Sequence, residues 1–315
     1  MFMINWLEYF TRGLIGKPQS RQMLRRDFSD SKLYPDRLRD FQAKILRSSS
    51  EYDSDINAQR PIFVLSAGWR SGSTLVQRML MHHNDDLIIW GEPYDRTNLF
   101  DRLMLQFNAF TKDWPPDRFY HEPQSTGLSH RWVANLYPSL NDFFDAHRSF
   151  FDSLFLKPAT ELGYQSWGVK EVRLTGDHAR YLKLLYPNAR FIFLVRHPVH
   201  AFASYRPTGE WYRSWTDKPV FTPFAFGRNW SSLAGSFFES FRDVDGILIR
   251  YEDLNQSNTV SSIENYLGWK VSKADNVMKV GSSKKSDKEL WVPKFDRCLL
   301  RLGLNGTEKK FGYQA

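Results

Sequence analysis

The stretch from Pro61 to His83 constrains the chain most, reading PIFVLSAGWRSGSTLVQRMLMHH. Ile62-Phe63-Val64-Leu65 has the length and β-branched content of a buried parallel strand. Small residues follow at once: Ser66, Ala67 and Gly68, then Ser71, Gly72, Ser73 and Thr74. Leu75, Val76, Met79 and Leu80 then recur at helical spacing. Strand, small-residue loop and helix N-terminus together make a construction that binds phosphate. The loop amides converge on the anion, and the helix dipole favours its charge. Small side chains let the backbone approach the ligand closely.

The loop differs from the nucleotide-triphosphate loop G-x-x-x-x-G-K-S/T at a telling place. Ala67 stands at the first glycine, Gly72 at the second and Thr74 at the hydroxyl, but Ser73 occupies the position of the lysine. The positive charge is instead Arg70, a guanidinium able to fork onto two oxygens. In this form W-R-S-G-S-T-L resembles the 5′-phosphosulfate loop of the sulfotransferases that use PAPS (3′-phosphoadenosine 5′-phosphosulfate). An unrelated strand–helix turn with chance glycines is the bland alternative.

The 315 residues fit one large α/β domain with insertions, or two small domains. A formal net charge of +8 calls for an anionic ligand or surface, and no nucleic-acid module accompanies it. Eleven tryptophans and 16% aromatic residues point to a broad aromatic surface. The single cysteine, Cys298, excludes an intrachain disulfide and a cysteine-based zinc cluster. A reducing, cytoplasmic compartment is the simpler reading. No run of 18 apolar residues suggests a membrane span, and MFMINWLEYF is a poor signal peptide.

Residues 1–58 form an expected N-terminal helical extension, ahead of a domain over 59–315. Met3, Ile4, Leu7, Phe10, Leu14 and Ile15 approximate one helical face, followed by Lys17, Arg21, Arg25 and Arg26. Such a stripe packs on its own domain, on a second copy as a homodimer, or peripherally on an anionic membrane. A second helix is expected over about Pro35–Arg47, then a polar linker. After the loop helix, Leu87–Trp90 reads as a strand ending in Gly91-Glu92-Pro93. Ligands of open α/β sheets bind outside the carboxyl ends of strands, which puts Glu92 beside the loop; a helix-capping carboxylate is the plain alternative.

Residues 94–165 interrupt the βα rhythm with mainly helical, aromatic-rich sequence. Most of these aromatics belong in a core, and a few are expected to form an acceptor platform. Trp167–Glu171 reads as a short strand carrying Lys170, whose burial is costly unless its ammonium meets an anion; a surface pair with Glu171 is the alternative. A helix over Asp177–Tyr186 with Asp177 as N-cap precedes Phe191–Val195, the clearest strand in the chain. Arg196-His197-Pro198 ends it, and Ser204 lies eight residues beyond Arg196. Residues 205–230 read as an aromatic lid or a packed surface loop. A helix over Gly227–Arg242 leads to a last strand, Ile247–Arg250, then Tyr251-Glu252-Asp253-Leu254.

Arg196 and Ser204, after an apolar strand and beside a proline, match the sulfotransferase 3′-phosphate motif, and RYEDL recurs at this place in the family. The resemblance covers roughly residues 60–290 and is closest in pattern to the glycan and tyrosyl-protein branches. It implies a P-loop-like, doubly wound, mostly parallel sheet with helices on both faces. It implies PAPS as donor and PAP, the desulfated nucleotide, as product. The cofactor residues it names are Gly68, Trp69, Arg70, Ser71, Gly72, Ser73, Thr74, Arg196, Ser204 and Tyr251. Glu92 then stands where those branches place a catalytic glutamate, and Lys170 where the tyrosyl-protein branch stabilises the leaving phosphate, with Arg70 alongside. A looser match, Gly281 to Lys285, stands where relatives contact the 3′-phosphate.

The expected reaction is transfer of a sulfuryl group to an acceptor hydroxyl of a carbohydrate or glycolipid, with no metal. Phenol, peptidyl-tyrosine and lipid or polyketide hydroxyls remain open as acceptors, and His83 or His121 as the base. A P-loop kinase and a non-catalytic nucleotide- or glycan-binding module are the competing classes.

Overall fold

The structure, a computed structural model, describes residues 33–34, 36–48, 59–93, 98–121, 133–206, 220, 222–277 and 291–314. In chain order the elements are α1 Arg37–Ser48, β1 Ile62–Ser66, α2 Ser73–Met81, β2 Leu87–Trp90, α3 Leu99–Leu105 and α4 Leu140–Phe151. There follow α5 Lys157–Glu161, β3 Ser166–Glu171, α6 Gly176–Leu185, β4 Arg190–Val195 and α7 Pro198–Tyr205. Then come α8 Pro223–Ser240, β5 Ile247–Arg250, α9 Ser257–Leu267 and α10 Lys294–Leu304. The five strands form one sheet in the order β2-β3-β1-β4-β5, and every pair is parallel. The expected doubly wound α/β fold is the one observed.

The sheet is parallel because each strand is apolar on both sides and each is followed by a helix that covers one face. Ile62, Val64, Ile192, Leu194 and Ile249 face α2 and α9, where Val76, Met79, Leu80, Val260 and Ile263 meet them. Alternate positions Phe63, Leu65, Phe191, Phe193 and Val195 face the other way, into the larger cluster. At roughly 1.5–3 kcal/mol per fully buried large side chain, this two-sided burial dominates the stability of the sheet.

The inserted region between β2 and β3 forms a layer of that larger core. Phe100, Phe107, Phe110, Phe144, Phe151 and Phe155 are buried in it, and Phe155 stacks on Trp167 of β3. Helix α1 joins the same layer: Phe41 and Ile45 are buried, with Phe41 edge-on to Phe107 and Phe110 at 4.8 Å each. Lys44 of α1 donates to the carbonyl of Pro115 at 3.0 Å. The described part of the expected extension therefore shares the core of the domain. Residues 1–32, with their apolar stripe, lie outside the described residues.

Local corrections are physical. Helix α6 is capped by Thr175, whose amide and hydroxyl both contact Nδ1 of His178, at 3.1 and 2.9 Å. Asp177 instead accepts from Arg180 at 2.8 Å. Phe224, Phe226 and Trp230, read as loop aromatics, lie on α8, and the last two are buried. The hydroxyl of Thr222 caps α8 by accepting from Ala225 at 3.1 Å. Trp211, Tyr212 and Trp215 of the expected lid fall outside the described residues.

Candidate active site

All five strands point their carboxyl ends to one edge, and each delivers a residue singled out from sequence. β1 runs into the loop 67–72, β2 is followed by Glu92, β3 carries Lys170 at its penultimate position, β4 is followed by Arg196 and β5 by Tyr251. The loop is held by its own atoms. Ala67 donates to Leu194 of β4, Gly68 turns back onto Ser66, and the Ser71 hydroxyl spans the carbonyls of Ala67 and Gly68 at 3.0 and 2.9 Å. Gly68, Arg70 and Gly72 all take left-handed backbone angles, with φ of 82°, 65° and 92°. Helical bonding begins with Leu75 and Val76 donating to Gly72 O. The amides of Ser73 and Thr74 belong to the first turn, which has no intrahelical acceptors to meet.

Gly72 must be glycine for a second reason. A Cβ there would lie 2.2 Å from Cδ2 of Tyr251, so the tyrosine ring rests directly on the loop backbone. The Arg196 guanidinium sits 4.3 Å from the centroid of the same ring, and its Nη1 donates to Arg70 O at 2.9 Å. Arg70 Nε in turn donates to the Ser204 hydroxyl at 3.1 Å. Arg70, Arg196, Ser204 and Tyr251 are thus one contiguous group. Sequence reasoning assigned Arg70 to one anion and Arg196 with Ser204 to another, whereas here Arg70 bridges the loop to the second. Two arginines linked through the Arg70 carbonyl, one of them on the Ser204 hydroxyl, place positive charge beside the first turn of α2, a setting that favours an anion. That donor set fits a ligand with anionic groups at two positions.

On the other side of β1, Lys170 is aligned with Val64 and shares the sheet face covered by α2. Its side chain is 7% exposed and pairs with Oε1 of Glu92, itself 15% exposed. The alternative partner, Glu171, is engaged elsewhere: it accepts from Arg173 at 2.8 Å and from the Val172 amide at 2.7 Å. Glu92 is fixed through β2. Gln77 of α2 donates to Ile89 O at 2.6 Å, and the Trp90 indole donates to Phe155 O at 3.1 Å. Asp85 and Asp86 lie at the opposite end of the strand, where Asp86 O accepts from Gln165 and Ser166. His83 lies beyond the C-terminus of α2, the far end of that helix from the loop. His121 lies beside the bridge between Tyr120 and Tyr137, its backbone amide donating to Tyr137 O at 2.8 Å.

Two side chains named from sequence as cofactor-binding turn inward. Trp69 is buried and stacks on Tyr205 with ring centroids 5.9 Å apart, and Ser71 is buried with its hydroxyl on the loop carbonyls. Their contribution to a ligand is confined to their backbone. Other residues of the site were missed. The Trp230 indole donates to Arg196 O at 3.1 Å and fixes the strand end from α8. Glu252 accepts from the His197 amide at 2.9 Å and from the Tyr313 hydroxyl at 2.7 Å. Burial and this carboxylate push the Tyr313 hydroxyl well above its ordinary range. His197 also reaches Gln314 O at 2.9 Å. The segment Gly281 to Lys285 lies outside the described residues.

A sequence model of the sulfotransferase family matches residues 61–273, more than half of the chain. No curated protein sequence matches it. Among solved structures, the sulfotransferase domain of the Synechococcus PCC 7002 olefin synthase is 17% identical, with a TM-score of 0.43, covering 82% of this chain and 98% of that one. A sulfotransferase from Alicyclobacillus acidocaldarius is 17% identical with a TM-score of 0.39, covering 80% of this chain and 94% of that one. The match over residues 61–273 contains the phosphate loop, Glu92, Lys170, Arg196, Ser204 and Tyr251. The chain belongs to the family of PAPS-dependent sulfotransferases and is an enzyme of sulfuryl transfer.

Proposed function

We propose that the edge formed by the five strand ends holds PAPS across β1, with its 3′-phosphate toward Arg196 and Ser204 and its phosphosulfate toward the loop and Lys170. The observation that supports this is the convergence of loop, Lys170, Glu92, Arg196 and Tyr251 on one side of the sheet. PAPS supplies an activated sulfuryl group whose departure leaves negative charge on a phosphate oxygen. Lys170 and the loop amides meet that charge as it grows. Glu92, positioned by its contact with Lys170, takes the proton of the acceptor hydroxyl. One ion pair thus sets the distance between the base and the group that stabilises the leaving oxygen.

The acceptor is read as an aliphatic hydroxyl, of a carbohydrate, glycolipid or lipid-like chain. A carboxylate base supports that reading. The aromatic platform expected from the inserted region does not add to it, because Phe100, Phe107, Phe110, Phe144, Phe151 and Phe155 are consumed by the core. The donor test is a thermal-shift comparison. PAP raises the melting temperature by mass action, and adenosine 5′-phosphate, lacking the 3′-phosphate, does so much less. Equal shifts would overturn the placement of Arg196 and Ser204. Transfer of labelled sulfuryl groups from PAPS into a source-cell extract is expected to persist in excess EDTA.

A further inference from the structure

The last long helix carries an outer face that the active site does not use. α10 buries Leu300, Gly303 and Leu304 against the domain. It packs so closely on α8 that a Cβ on Gly303 would lie 2.2 Å from Phe224 O. At 100° per residue, Phe295, Cys298 and Leu302 fall within one narrow stripe pointing away from that contact. Phe295 is 72% exposed, Leu302 63%, and Trp291, just before the helix, 71%. Two large apolar side chains exposed along one helix face, with a third in the segment that enters the helix, form the kind of patch that marks an interaction site.

Lys294, Arg297 and Arg301 run along one flank of the stripe, all exposed and, among the described residues, in no ion pair. The only acid of the helix, Asp296, lies on the other flank, 3.8 Å from Arg206. A second copy is a poor occupant. A two-fold contact would bring the same patch of each subunit together, setting three cations against three with no carboxylate between them. The stripe is also one residue wide, whereas a protein interface needs a broad apolar centre.

We infer that this face of α10 docks the protein on an anionic lipid surface, Trp291, Phe295 and Leu302 entering the headgroup boundary while Lys294, Arg297 and Arg301 meet lipid phosphates. Tryptophan and phenylalanine favour that depth, and long basic side chains keep their charge at the headgroups while lying along the apolar boundary. No described helix is long and apolar enough to cross a membrane, so the contact is peripheral. The inference does not depend on the identity of donor or acceptor.

The test is co-sedimentation of the full chain with vesicles of equal parts phosphatidylcholine and phosphatidylglycerol, against phosphatidylcholine alone. Binding is expected to the first, to fall steeply with added salt, and to be near absent for the second. Arg297→Glu with Arg301→Glu is expected to weaken it roughly tenfold or more. Trp291→Ser with Phe295→Ser is expected to abolish it, with an unchanged melting temperature because these side chains are exposed. Cys298, the sole cysteine, lies in the stripe and takes an environment-sensitive fluorophore, whose emission should shift to the blue on anionic vesicles only. Equal binding to both vesicles, binding that survives the variants, or a concentration-dependent dimer that the variants dissociate would each overturn the inference.

Discussion

Lys170 and Glu92 reach each other from neighbouring strands, β3 and β2, and meet as a pair beneath the helix that carries the phosphate loop. Burying two charges is expensive, and their mutual attraction restores that only when both are held in good geometry. Removing either therefore disturbs the other, so single substitutions at this pair mix chemistry with structure.

A double-mutant cycle separates them. Glu92→Gln is expected to lower kcat by roughly 10²–10⁴, the ordinary worth of a general base. If Glu92 takes the acceptor proton, it also lowers kcat in a Lys170→Met background. If Glu92 only positions Lys170, the double variant turns over no more slowly than Lys170→Met alone. PAP titrations alongside show whether the loss lies in chemistry or in binding.

Gly72→Ala meets two obstacles, a positive φ and a tyrosine ring 2.2 Å away. We expect a stability loss on the order of 1–3 kcal/mol and a PAP affinity at least tenfold weaker. Adding Tyr251→Ala removes the collision and recovers part of the stability, while PAP binding stays weak because Arg196 has lost the ring beneath it. Full recovery of binding in the double variant would show that Tyr251 matters only for packing.

Arg196→Ala removes a charge-assisted contact worth roughly 1.5–3 kcal/mol, about ten- to a hundredfold in affinity. The loss is expected for PAP and not for adenosine 5′-phosphate. Arg70→Ala is expected to weaken both nucleotides, since Arg70 belongs to the loop and also holds Ser204. Calorimetric titration of each variant with each nucleotide checks the pattern.

His147 gives the pH dependence. It is buried with its Nδ1 2.8 Å from the Tyr181 hydroxyl, and burial brings its pKa down from 6.5 to about 4. A depressed histidine stabilises the fold fully above pH 6.5, and that contribution is lost as pH falls toward 4. The full loss amounts to roughly 3 kcal/mol. His147→Phe is expected to flatten the melting temperature over this window. An unchanged acid slope in that variant would place the titrating group elsewhere.

The sheet was legible because four strands are short, mainly apolar runs closed by small or charged residues, and the fifth, β3, carries its charge at its carboxyl end. Only parallel strands covered on both faces tolerate such runs. The site was legible for the same reason, since residues just past strand ends must converge on one edge. What was not legible came from tertiary choices. Phe226 and Trp230 look like loop aromatics until Thr222 caps the helix that buries them. Arg70 and Ser204 are 134 residues apart, and nothing local says they touch. Glu252 reads as a structural or capping acid, but its partners, the His197 amide and the Tyr313 hydroxyl, lie 55 and 61 residues away and could not be named.

That last contact ties a distant part of the chain to the nucleotide edge. Tyr313 and Gln314 hold the turn after β4 through Glu252 and His197, so a substitution at Tyr313 is expected to loosen Arg196 without touching any residue proposed to face the ligand. Variants compared for nucleotide affinity are therefore best made with residues 311–314 intact.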